Sequence, residues 1–482
     1  MSDSFLWYDL ETFGRDPRRT RIAQFAALRT DAALNVIGEP ERFSVRPALD
    51  LLPSPTASLI TGLSPLDLLR DGLREVEAIE RIARCFGEPG TCGVGWNTLR
   101  FDDEFLRHGF YRHFHDPYRR EYQDGNSRWD LLDHARFVHA LRPDGIHWPR
   151  REDGAPSFRL EHLAAANDIA HGHAHDALSD VEATLGMARL FRAAQPRLWD
   201  YHLGFRSKAR ARQLVDPARP QPLLHVSGRF PAHRGCAALV LPLAEHPRIG
   251  NQIIVCDLSE DPAPLLEQSA EDIAERLFAP ADALPEGESR AALKAVHLNR
   301  SPALVALAHV RDAELERLGI DRAQCLATAA RLSADSDLAE RVRRVFALTA
   351  GTEGAQRHND VDQALYDALP DRRDTRTCLR LRSLPPQSLA SLSGQFHDSR
   401  SEELLFRLRA RNWPETLDAD EQARWRDYRE SRLACDSGLS EYSFDSFDAE
   451  LAALAAQQPS DPARDRLLDD LRRWGAYLRG YP

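Results

Sequence analysis

Apolar residues run unbroken from Phe5 to Tyr8 and are followed by two carboxylates, Asp9 and Glu11, one residue apart. Such a run reads as a buried strand over 5–12, and RIAQFAALRTD predicts a second over 21–31. A third strand is expected at about 43–47, with Pro47 and Pro53 ending it. Ser64 before Pro65 has the chemistry of a helix start, and residues 75–86 carry apolar positions at helical spacing. TCGVGWN predicts a short strand that runs into a loop. Strands and helices alternate in this way to about residue 195, the mark of an α/β domain.

From 222 to 260 the pattern changes to strands, LLHVSGRF, CAALVLPLA and NQIIVCDL, divided by Gly and Pro turns. Residues 293–307 predict a further pair around Asn299, and the helical signals at 270–280 and 312–347 are insertions or additions to this β-rich part. After about 353, DVDQALYDALP, SEELLFRLRARN, DADEQARWRDYRESRL and ARDRLLDDLRRWGAYL all show the 3.6-residue apolar period. The expected domains are 1–195, 196–352 and 353–482. A chain of 482 residues is too long for one core, which agrees with such a division.

No stretch approaches the roughly 20 apolar residues of a membrane span, so no membrane partner is expected. The strand at the start leaves no room for a signal peptide. Seven scattered cysteines, never spaced CxxC, read as reduced core residues of a cytoplasmic protein, not as disulfides or a zinc site. The net charge of −11 weighs against a nucleic-acid partner. Its distribution weighs the other way: positive charge gathers at Arg100, Arg107, Arg112, Arg119 and Arg120, and again at Arg206, Lys208, Arg210 and Arg212, while acidic residues concentrate after about 400. Either cluster reads equally well as a solvated helix face. Of 63 basic residues only Lys208 and Lys294 are lysines, and a lysine amid such a bias can mark a site that prefers a compact point charge to a fork.

The carboxylates change the picture most. Residues i and i+2 of a strand share a face, so Asp9 and Glu11 stand side by side and repel unless something positive lies between them. Burying them requires a reason. Asp102 in GWNTLRFDDEF and Asp180 in HAHDALSDVEAT, with His175 five residues before it, complete four carboxylates and one histidine. That is the equipment of a two-metal phosphodiesterase. Asp102 and Asp103 are neighbours and must point in different directions; Asp102 is expected to face the site and Asp103 the solvent. Asp176 lies one turn from Asp180 and rivals it as a ligand, with Asp180 preferred. His175 belongs to a loop with His171 and His173, but its place just before the helix of Asp180 brings its imidazole within reach of the reacting water.

These residues resemble the DEDDh branch of the RNase H-like 3′–5′ exonucleases, with Asp9 and Glu11 as the first motif, Asp102 as the second, and His175 with Asp180 as the third. Within that branch the chain resembles the bacterial exonuclease I family. YDLETFG, LITGLSP, RFDDEFLR, NSRWDLLD, PSFRLEHL, HVSGRF and RARNWPETL all look like that family's text, and only the segment from about 435 matches poorly. The resemblance implies an α/β RNase H-like exonuclease domain, an SH3-like β domain and an all-α C-terminal domain. It implies release of 5′-mononucleotides from the 3′ end of single-stranded DNA, in repair and recombination.

Carried over by position, the resemblance implies two divalent ions, Mg2+ with Mn2+ able to substitute, held by Asp9, Glu11 and Asp180, with Asp102 completing the ligands of the second ion. His175 becomes the general base, and Glu11 and Arg159 contact the substrate. Arg107, Tyr118, Tyr122 and Arg136, then Lys208, Asn251, Lys294 and Asn299, fall where the family contacts the strand. Tyr122 stands where an indole is usual and keeps a stacking face. Arg142, Tyr201 and Arg311 match a pocket for the acidic C-terminal tail of the single-strand-binding protein. A monomer is expected. Removing residues after about 353 is expected to spare cleavage of a short oligonucleotide, if the remainder folds, and to shorten the run along a long strand. The alternatives are an exoribonuclease of the same superfamily, which is typically much shorter, and a silent single-strand-binding scaffold, which the intact motifs oppose.

Overall fold

Alternation along strand β1 (Ser4–Thr12) sorts its side chains onto two faces. In this computed structural model, which describes residues 4–172, 176–279, 292–348, 360–368, 371–435, 437–457 and 461–481, Leu6, Tyr8 and Leu10 pack on helices Glu75–Phe86 and Asp102–Arg112 through Ile79, Ile82, Phe105 and Phe110. Phe5, Trp7, Asp9 and Glu11 fall on the other face. β2 (Ile22–Thr30) pairs antiparallel with β1 from Phe5↔Thr30 to Glu11↔Gln24, and a bulge follows between Glu11 and Thr12. β3 (Glu41–Ser44) lines up antiparallel on β2, and β4 (Thr91–Gly95) parallel on β1, in the order β3-β2-β1-β4. Ser64 caps its helix as expected, its hydroxyl accepting from the Asp67 N–H, with Pro65 in the first position.

The chain forms two compact units that do not follow its order: Met1–Ser127, His171–Glu182 and Arg357–Pro482 make one, and Arg128–Ala170 with Ala183–Gln356 the other. β5 (Ser127–Asp130) carries the chain from the first into the second. In the second unit β6 (Leu223–Val226), β7 (Ala237–Glu245), β8 (Gln252–Asp257), β9 (Leu293–His297) and β10 (Ala303–Ala306) form an antiparallel sheet in the order β10-β6-β7-β8-β9. Period-two alternation buries both faces. Leu239, Leu241, Ile254 and Cys256 pack with Phe137 and Leu141 of helix Leu131–Leu141, whereas Val240, Ile253 and Val255 pack with Phe205, Ala211 and Val215. Among the described residues no helix is long and apolar enough to cross a membrane.

One helical expectation fails. Of DVDQALYDALP, residues 360–368 are described, and they form turns and a 3-10 turn at Ala364–Tyr366, not an amphipathic helix. The reason is that its aspartates turn inward. Asp360 and Asp362 are buried and accept hydrogen bonds from Arg407, and Asp362 also from Arg411 and Arg21. Arg411 bridges onward to Asp50 at 2.8 Å, so buried charges of 21–112 and 360–432 form one network inside the first unit. Helical period counts apolar residues and does not register carboxylates that are paired in a core.

Candidate active site

Asp9 and Glu11 project from the same face of β1, as their spacing requires, and helix Ala177–Ala194 brings Asp180 to them. The ligand oxygens of these three carboxylates all lie within 4.8 Å of one another. Two contacts set that meeting. The register places Gln24 opposite Glu11, and the Gln24 side-chain oxygen accepts the Ala177 N–H at 3.3 Å at the helix start. His171 meets the Asp180 carboxylate directly. His171 is the neighbour that sequence reasoning missed, since a nine-residue spacing follows no rule of helix or strand.

Asp102 opens helix Asp102–Arg112, is 3% exposed, and accepts the Leu10 N–H at 3.0 Å, between the two strand carboxylates. Its approach depends on Gly95, where a Cβ would lie 2.5 Å from the Tyr8 carbonyl and 2.2 Å from Thr98 Cγ2. Asn97 then turns the chain with φ 69°, a left-handed value that Asn tolerates. Asp103 corrects the expectation of a surface charge. It is fully buried, accepts the Tyr8 hydroxyl at 2.7 Å and pairs with Arg120. Neighbouring residues at a helix start do point apart, but here both directions lead into the protein. Asp176 accepts the Ser179 N–H at 3.3 Å and pairs with Arg42, so the structure brings Asp180 and not Asp176 into the triplet. His175 lies outside the described residues.

Negative charge is crowded at the triplet. Burial, and then the charges of Asp102, Glu11 and Asp180, push the Asp9 carboxyl well above its usual range. Burial, followed by Asp180 and Asp102, pushes Glu11 up to about 9. An all-oxygen donor set with surplus negative charge fits a hard divalent cation. A carboxyl whose folded pKa is raised holds its proton more tightly folded than unfolded. Its stabilising contribution is complete below about pH 4 and lost as the pH climbs through the folded value. The prediction is that the melting temperature in chelator falls from about pH 5 to about pH 9, and that added Mg2+ raises it more at the upper pH. An equal rise at both values would remove the metal-site reading.

The other expected site residues fall in both units. In the first, Arg107 is buried, with Glu121 at 2.8 Å and Glu104 at 2.6 Å, and lies over the Tyr118 ring at 5.5 Å. Tyr122 is 65% exposed. With Arg112 and Arg120 also buried, three of the five arginines of the first basic cluster serve interior ion pairing and backbone bonding, which corrects the reading of that cluster as a solvated helix face. In the second unit, Arg136 pairs with Asp133 at 3.0 Å, and Arg159 and Lys208 are exposed at the starts of helices Leu160–Ala166 and Lys208–Leu214. Lys294 Nζ lies 3.0 Å from His225 Nε2 and 4.1 Å above the Phe230 ring. The Leu298 N–H donates to the Asn251 carbonyl at 2.8 Å, which puts Asn251 and Asn299 at one end of the β8–β9 ribbon. Arg142 and Arg311 converge on buried Glu314, and Tyr201 lies under Arg210 at 5.0 Å.

A partly buried carboxylate triplet on the central strand of a mixed sheet, completed from a later helix, defines the class as an RNase H-like exonuclease with a divalent-metal site. Family models agree: exonuclease over residues 6–187, exonuclease I SH3-like domain over 206–348, and exonuclease I C-terminal domain over 359–478. Exodeoxyribonuclease I of Escherichia coli K12 is 45% identical over 427 residues, 88% of this chain and 89% of that one. Among solved structures, an exonuclease I from Methylocaldum szegediense matches with TM-score 0.94 and 45% identity over 99% of both chains. The E. coli exonuclease I complex with a dA16 oligonucleotide matches with TM-score 0.94 and 42% identity, over 99% of this chain and 100% of that one. The chain belongs to the exodeoxyribonuclease I family.

Proposed function

We propose that this chain is a 3′→5′ exonuclease that degrades single-stranded DNA to 5′-mononucleotides. The observation that carries the reading is the triplet of Asp9, Glu11 and Asp180. When bound there, two divalent cations, Mg2+ with Mn2+ as a substitute, supply the charge that activates a water and stabilises the departing 3′-oxygen. Asp9, Glu11 and Asp180 hold that charge, and Asp102, anchored by the Leu10 N–H, completes the donor set. His175 takes the proton of the attacking water. Glu11 and Arg159 orient the end of the strand.

Upstream nucleotides run along Arg107, Tyr118, Tyr122 and Arg136 and on to Lys208, Asn251, Lys294 and Asn299. Exposed Tyr122 offers a stacking face that any base can use, while Lys208 and Lys294 supply phosphate contacts. Arg142, Tyr201 and Arg311 take the acidic tail of the single-strand-binding protein. Two guanidiniums meeting on the one carboxylate of Glu314 leave a net positive charge for it. Residues 1–195, 196–352 and 353–482 are the exonuclease, SH3-like and helical domains of a monomer that works in the cytoplasm, in DNA repair and recombination. Incubation of 5′-labelled single-stranded DNA, duplex DNA and RNA with Mg2+ tests the reading. Stepwise shortening is expected for the single DNA strand alone. Equal shortening of RNA would make the chain an exoribonuclease, and binding without shortening a scaffold.

A further inference from the structure

The bulge between Glu11 and Thr12 shifts the register of β1 on β2; pairing runs on through Thr12↔Ile22 and the Phe13 N–H, which donates to the Arg21 carbonyl at 3.0 Å, and other contacts then take over the hold on the backbone. Thr12 Oγ1 donates to the Gly14 carbonyl at 2.6 Å, and the Ser54 N–H donates to the Phe13 carbonyl at 2.6 Å. The Arg19 and Thr20 N–H groups donate to the Asp16 carbonyl at 3.0 and 2.9 Å, and a further hold comes from the far end of the chain. The Arg15 N–H donates to both carboxylate oxygens of Glu441, at 3.0 and 2.9 Å, and the Asp16 N–H to one of them at 3.2 Å. Gly14 leaves the room for this, since a Cβ there would lie 2.3 Å from Glu441 Oε2.

The segment that bears Glu441 is itself pinned. Buried Arg432 donates to the Leu439 carbonyl at 2.5 Å and to the Arg19 carbonyl at 2.6 Å, and the Tyr442 hydroxyl donates to Ser54 Oγ at 3.3 Å. Residues 439–442 thus tie the loop that leaves the metal-bearing strand to the loop that precedes helix Pro55–Thr61. An anion that accepts consecutive backbone N–H groups fixes their orientation, and these groups begin four residues beyond Glu11.

We propose that Glu441 is a positioning residue for the metal triplet, holding the exit of β1 so that the Glu11 carboxylate stays on Asp9 and Asp180. The proposal rests on the metal-site reading above. Outer partners of metal ligands contribute to metal affinity without touching the ion.

The test uses the full chain and Mn2+ alone, followed by calorimetry without substrate, together with the melting temperature. E441A is expected to weaken Mn2+ binding about tenfold, with the melt little changed. The Mn2+ needed for half-maximal hydrolysis should rise by the same factor, with kcat at saturating metal preserved. E441Q, which keeps a carbonyl oxygen for the same N–H groups, should recover most of the loss. Gly14→Ala, which displaces the carboxylate from the other side, should reproduce E441A and add nothing to it in the double variant. Wild-type affinity in folded E441A overturns the proposal. If E441A does not fold, wild-type affinity in Gly14→Ala overturns it equally. A wild-type chain that binds no Mn2+ overturns the metal-site reading itself, and this proposal with it.

Discussion

Asp9→Ala and Asp180→Ala are each expected to lower hydrolysis of single-stranded DNA by several orders of magnitude while leaving affinity for the strand nearly intact. Each removes one of three oxygen donors that converge within 4.8 Å. Two donors hold a divalent charge poorly, and without that charge neither the water nor the departing oxygen is stabilised. Binding survives because the strand's affinity comes from contacts along the proposed path, not from the reacting phosphodiester. Asp176→Ala is the matched comparison. Its carboxylate caps the helix start and pairs with Arg42, so its loss should cost about 1 kcal/mol of stability and little turnover. Single-turnover rates with equilibrium binding of a labelled oligonucleotide decide the matter. Near-normal turnover by Asp180→Ala would transfer the ligand role to Asp176.

The second large effect concerns stability. Asp362 is fully buried and receives Arg411 at 2.6 Å, Arg407 at 3.1 Å and Arg21 at 3.4 Å. Burial pushes its carboxyl up, and the Arg411, Arg407 and Arg21 guanidiniums outweigh that and hold it well below the usual carboxylate range. Asp362→Ala leaves those guanidiniums short of a partner in the core, which is expected to cost about 3–5 kcal/mol. Urea unfolding would show it as a lower midpoint, and an unchanged midpoint would make the network ornamental. Because the folded pKa is depressed, this stabilisation is present above about pH 4 and lost as the pH falls. The same network revises the expected effect of truncation. Removing residues after about 353 strips Asp50, Arg21 and Arg112 of Arg411, Arg432 and Asp362, so the remainder is expected not to melt cooperatively. The run along a long strand is therefore tested by point substitutions along the proposed path, not by deletion.

Much of the architecture was legible because it follows from local rules. The apolar run before Asp9, the alternation of β6–β8 and the Ser64–Pro65 start each depend on residues within a few positions of one another. The partners of Asp103, Asp362 and Arg107 were not legible. A charged side chain is written the same way whether it meets water or a guanidinium far along the chain, and local pattern defaults to water.

By itself, the sequence determined that Asp9 and Glu11 share a face of a buried strand, that the chain passes from α/β to β to helical text, and that Asp102 and Asp180 were available to complete a carboxylate site. These follow from strand period, burial of apolar runs and charge repulsion, all of which act locally. Only the tertiary structure decided that Asp180 and not Asp176 reaches the triplet, that His171 meets Asp180, and that Glu441 closes on the loop leaving the strand of Asp9 and Glu11. Those outcomes depend on where a helix docks on a sheet and where a distant segment returns. Docking is set by the packing of whole faces, which no spacing along the chain encodes.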